Sequence, residues 1–84
     1  MKVIKENGVS FGVECDELDV ERFNRLWPGS KLVGLRGVYF GFTDLGDLVD
    51  VDTANGGHTR WDGPELLALC GDALEFFLAD KLDH

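Results

Sequence analysis

Residues 48–67, LVDVDTANGGHTRWDGPELL, hold most of the side chains in this chain whose types and spacing could do chemistry. Asp50 and Asp52 ahead of Asn55-Gly56 suggest a calcium loop. His58 next to Thr59 suggests a base beside a nucleophile. Arg60 and Trp61 are residue types enriched where proteins bind one another.

Calcium fails on spacing. An EF-hand loop needs oxygen ligands at positions 1, 3 and 5, glycine at 6 and a bidentate glutamate at 12. Counted from Asp50, positions 5, 6 and 12 are Ala54, Asn55 and Trp61, so all three are wrong. Zinc would have to draw on His58, the terminal His84, Cys15 and Cys70, and no pair of these has ligand spacing. Nucleophilic catalysis needs an activated Ser, Thr or Cys held against a base. Adjacency of His58 and Thr59 in sequence does not supply that geometry. Gly56-Gly57 lacks the lysine of a phosphate-binding loop. A chain this short also leaves little room for a deep pocket of several hundred Å³. No enzyme, metal or cofactor is expected.

Charge narrows the partners. The 84 residues carry 16 acids against 8 bases, a formal net charge of -8. Phosphate contacts need clustered Lys and Arg, so direct nucleic-acid binding is disfavoured. An anionic membrane surface is disfavoured for the same reason. A basic protein, itself nucleic-acid-binding, is the complementary partner. MKVIKENGVSF has no apolar run of signal-peptide length. No stretch reaches the roughly 18 apolar residues of a membrane span. The expected location is cytoplasmic, with Cys15 and Cys70 as free thiols; a disulfide between them is the alternative.

The elements that must position these side chains follow from hydrophobic spacing. With 44% apolar residues and six Phe, the chain is expected to fold as one domain. Asn7-Gly8 suits a two-residue hairpin turn, pairing Ile4 with Phe11. Val9, Phe11, Val13 and Cys15 then alternate with Ser10, Gly12 and Glu14. Asp19 is the expected cap of a short helix, with Leu18 and Phe23 as a hydrophobic staple. Val20, Phe23 and Trp27 form its buried stripe, with Leu26 beside them, and Pro28-Gly29 ends it.

KLVGLRGVYFGFTDLGDLVDVDT reads as three strands, with turns at Arg36-Gly37 and at Asp44-Leu45-Gly46. Val49 and Val51 are expected to face inward, and Leu48, Asp50 and Asp52 outward. A last helix starts from an Asp62 cap and runs to about Lys81, with a wide apolar face from Leu66 to Leu78. The expected fold is therefore α+β: one small domain, an antiparallel sheet of about five strands in the order ββαβββα, with both helices on one face.

That arrangement leaves the opposite face open, with Ser10, Gly12, Tyr39, Gly41, Thr43, Asp50 and Asp52. Asp44, Asp47, Asp50 and Asp52 form an acidic edge. Such an edge ordinarily serves solubility and keeps strands from pairing. It can also stand in for a run of phosphates before a basic groove. Trp61 is read either as a lid on the last helix or, with His58 and Arg60, as a contact surface. The expected function is a non-enzymatic protein-binding module acting through Tyr39, the four acids and the 54–62 loop. Phage- or mobile-element-encoded inhibitors of the anti-CRISPR or anti-restriction type belong to that functional class, a comparison by analogy. The alternatives are a homodimer pairing through the open sheet face and a small ligand binder or enzyme using His58.

Overall fold

The computed structural model describes residues 1–6, 10–27, 29, 32, 35–55 and 64–82, with 6, 10, 11 and 55 described by backbone alone. The elements are β1 (Lys2–Glu6), β2 (Ser10–Cys15), α1 (Glu17–Leu26), β3 (Leu35–Phe42), β4 (Leu48–Asn55) and α2 (Pro64–Leu82). The strands form one antiparallel sheet in the order β1-β2-β3-β4. The α+β class is as expected. The strand number is not: the described residues form four strands in the order ββαββα, not five.

The difference lies at Arg36-Gly37, which is not a turn but the start of a long β3. Leu35 and Val38 are three positions apart, so simple alternation would place them on opposite faces. Both are buried, together with Phe40 and Phe42. Arg36 reconciles them. The register passes from Leu35↔Asn55 to Gly37↔Ala54, so Arg36 is an extra residue on β3, a β-bulge. A tight turn would have needed positive φ at arginine, which its side chain disfavours.

A second bulge sits on β4, between Gly41↔Asp50 and Phe42↔Leu48. Val49 is the extra residue. It is 62% exposed and lies with Asp50 on the open side, whereas Leu48 pairs with buried Phe42. The expected facing of Leu48 and Val49 is thereby reversed. A one-residue slip flips every side chain beyond it, and Val51 regains the inner face opposite Phe40.

The first hairpin is also shifted by one. Ile4 pairs with Gly12, and Lys5 with Phe11, so Ile4 belongs to the open face and Val3 to the core side. Glu6 pairs with Ser10, which leaves residues 7–9 between them rather than a two-residue turn. The Asn7-Gly8 turn itself lies outside the described residues. The β3–β4 turn is as expected. Thr43 N–H donates to the Asp47 carbonyl at 2.8 Å, Gly46 N–H donates to the Thr43 carbonyl at 2.9 Å, and Gly46 takes a φ of 92°. Thr43 Oγ1 also accepts from the N–H groups of Leu45 and Asp47.

α1 is capped one turn earlier than the sequence suggests. Asp16 is the cap: its carboxylate accepts from Asp19 N–H at 2.9 Å, and the Asp19 carboxylate accepts from Asp16 N–H at 3.0 Å. The two carboxylates satisfy two otherwise orphaned donors reciprocally. Leu18 is then a first-turn residue, 66% exposed, and the expected staple of Leu18 with Phe23 does not form. Val20 and Phe23 are buried as expected, while Leu26 points to solvent. Phe23 meets Trp27 edge to face at 5.0 Å.

α2 buries Leu66, Leu69, Ala73 and Phe77, a stripe at spacings of three and four. It is narrower than expected, because Leu67 and Leu78 are exposed. The Asp62 cap lies outside the described residues. Both helices pack on the inner face, α1 against β2 and β3, α2 against β1, β2 and β3. Phe42 and Phe77 meet at 5.4 Å in the core. At the far end of α2, Lys81 Nζ donates to the Asp44 carbonyl and lies over the Phe77 ring, tying the β3–β4 turn down.

Candidate functional site

With both helices on one side, the other side of the sheet stays open, and pairing register decides what it displays. Two cross-strand rows result. One runs Lys2, Glu14, Tyr39, Asp52; the next runs Ile4, Gly12, Gly41, Asp50. The first row puts Tyr39 between two carboxylates. The second puts two glycines beside the tyrosine, with Asp50 at the end.

The glycines give the ring its seat. Tyr39 leans across Gly12 so closely that a side chain there would collide with the end of the ring. The ring therefore lies along the sheet rather than standing off it, half-buried. A shallow concavity of about 400 Å³ forms beside it, lined by Ile4, Glu14, Tyr39, Val49, Asp50 and Asp52, with Gly41 as floor. A second, of about 390 Å³, lies towards Arg36 and Ala54 and shares Glu14, Tyr39 and Asp52. Tyr39 is thus the ridge between two hollows, with exposed carboxylates on either side of it.

Of the residues expected to act together, Tyr39, Asp50 and Asp52 converge here. Asp44 and Asp47 do not. They belong to the turn, where their backbone groups bond to Lys81 and Thr43. His58, Arg60 and Trp61 lie outside the described residues. Glu14, Ile4 and Val49 are additions. Glu14 was legible, since it alternates with buried Val13 and Cys15. Ile4 and Val49 were not, because a shifted register and a bulge bring them over.

A second groove, of about 420 Å³, separates α1 from α2 and is lined chiefly by Phe23, Leu26, Trp27, Ala68 and Phe76. The two helices rest on the sheet without closing over each other. At its rim the Met1 ammonium meets Asp19 Oδ2 at 2.7 Å, and Arg22 Nη1 stands 3.9 Å from Asp19 Oδ1. Burial disfavours the charged form of Asp19. The hydrogen bond from the ammonium and those within the capping box outweigh it and hold the carboxyl below its usual range.

Cys15 and Cys70 are free, so they are not joined in a disulfide. Burial, with nearby Asp19, pushes the Cys15 thiol up to about 12, and burial also raises Cys70. Thiols of that kind are poor nucleophiles and poor metal ligands at neutral pH. Among the described residues no group of three or more His, Cys, Asp or Glu side chains could hold a metal ion. No described helix is long and apolar enough to cross a membrane.

No protein-family model, curated protein or solved structure matches the chain.

Proposed function

We propose that the protein is a non-enzymatic binding module that holds a basic protein partner on the outer face of its sheet. The observation that carries this reading is the row Glu14–Tyr39–Asp52 with Asp50 beside it. Three carboxylates flank an aromatic ring on a hydrogen-bonded sheet, so the charges are presented at set spacings with little ordering left to do on binding. Arg and Lys side chains answer both features, by ion pairing and by stacking on the ring. The net charge of -8 works in the same direction over longer range, steering a cationic partner in.

A basic protein surface commonly exists to bind nucleic acid. Covering it would block that function, which is how an inhibitor of the anti-CRISPR or anti-restriction type would act. This part of the reading rests on functional analogy alone.

The test is a pull-down from nuclease-treated bacterial lysate at low and high salt, with wild type and an Asp50→Lys/Asp52→Lys variant. Recovery of a basic partner by wild type, lost in high salt and in the variant, is expected. Equal recovery by both proteins would remove the acidic face from the reading.

Self-association is the second reading, favoured by the exposure of Leu48 and Val49 on β4. It requires a concentration-dependent dimer, broken by Tyr39→Lys. A monomer at high concentration by size-exclusion chromatography with light scattering would end it.

A further inference from the structure

Resting on the basic-partner reading, we propose that the partner binds by adding a strand to β4, as an extended segment with cations at alternate positions and apolar residues between them. Among the described residues the sheet has two edges, β1 and β4. Each presents unpaired backbone groups, a ready template for another strand. The two edges differ in charge. β1 carries Lys2, Lys5 and Glu6, with Lys5 3.8 Å from Asp80 of α2, and lacks the acidic pair of β4. β4 carries Asp50 and Asp52 and is the longer edge, at eight residues against five.

The side-chain pattern of β4 specifies what it accepts. Asp50 and Asp52 face the open side, opposite Gly41 and Tyr39. Val51, between them, faces the core side opposite Phe40 and is half-buried, and Leu48 beyond it is exposed. An added strand must follow the same alternation. Its outward residues come to lie about 5 Å from Asp50 and Asp52, and the residue between them beside Val51. Two cations two residues apart span roughly 6.5 to 7 Å, the spacing of the two aspartates. The occupant is therefore a cation–apolar–cation strand.

A second copy of this chain is a poorer occupant. Pairing β4 with β4 about a twofold axis sets Asp50 and Asp52 against their own copies. Pairing β4 with β1 offers Lys2 alone on the outer face, because Lys5 is across from Phe11 and turned to Asp80.

Three capped peptides test the proposal on the intact protein at low ionic strength. The first is Thr-Val-Arg-Val-Arg-Val-Thr. The second, Thr-Val-Arg-Arg-Val-Val-Thr, has the same composition but sends its two cations to opposite faces. The third is the first peptide N-methylated at its five central amides, which removes its strand donors and keeps its charge. The first is expected to bind about tenfold or more tighter than the other two, a preference lost in Asp50→Asn/Asp52→Asn. Hydrogen exchange at the amides of residues 49–53 is expected to slow when it binds. Equal, salt-sensitive binding of all three peptides, without slowed exchange, would overturn strand addition and leave the basic-partner reading in place. No binding of any peptide would overturn both. A dimer of the free protein that the first peptide fails to displace would assign the edge to a second copy instead.

Discussion

Asp19 concentrates three duties in one side chain. It closes the capping box of α1, pairs with the Met1 ammonium and stands near Arg22, all while only 8% exposed. Asp19→Asn is expected to cost about 1 to 2 kcal/mol, because the ion pair goes and the cap weakens. Its pH dependence has a definite sign. The folded carboxyl titrates below the roughly 3.9 of a free Asp, so the folded state binds fewer protons than the unfolded state between the two values. The contribution is present above that range and is lost as pH falls through the folded value. Urea unfolding at neutral pH and near pH ~3 should show a larger acid-induced loss for wild type than for Asp19→Asn. Equal losses would place the acid sensitivity elsewhere.

Gly12 poses a separate question at this scale, because its missing side chain is what lets Tyr39 lie down. Gly12→Ala is expected to cost only about 1 kcal/mol, the low end for overpacking, since the displaced atoms are the end of a side chain and not backbone. Its larger effect should be on binding of a basic partner, with the Tyr39 ring signals shifted in the NMR spectrum. A variant with unshifted ring signals would mean the seat is not needed.

At the scale of elements, α2 anchors the fold through one stripe. Leu69 is fully buried, whereas Leu67, two positions earlier, is 61% exposed. Leu69→Ala is expected to cost about 2 to 5 kcal/mol and Leu67→Ala about 0.5 kcal/mol or less. Domains of this size hold only a few kcal/mol in reserve, so the first change should leave the protein largely unfolded at room temperature by circular dichroism. The contrast tests the rotation of the helix. Similar losses for the two would mean the apolar face is as wide as its residue types suggest. The strands show the complementary lesson. Both bulges keep a core row intact: one brings Leu35 and Val38 to the same side, the other turns Val49 out while Leu48 stays opposite Phe42. The second also sets Val49 beside Asp50 at the rim of the candidate site.

For the whole molecule, charge acts on folding and on binding with opposite signs. An excess of acids repels itself in the compact state, so moderate salt should raise the melting temperature by a few degrees. The same salt should weaken a complex with a cationic partner, because exposed pairs are screened within about 10 Å at 0.1 M. Melting curves and affinities measured over one salt series would show the two trends diverge. A complex indifferent to salt would point away from the open face and towards the apolar groove between the helices.

Local pattern was enough for much of this. Alternation located β2 and the inner rows of β3. The Asp-Leu-Gly turn and the left-handed Gly46 followed from residue type, and so did the α+β class and the open acidic face with Tyr39 on it. These features depend on neighbours in the chain, whose chemistry the sequence states directly. Tertiary structure decided the rest. Whether Arg36 bends the chain or is absorbed as a bulge depends on burying Leu35 with Val38, Phe40 and Phe42 at once. The membership of Ile4, Glu14 and Val49 in one site depends on pairing register across four strands. Register is set by the fit of whole rows of side chains, and a one-residue slip inverts a face. No short window of residues contains that information.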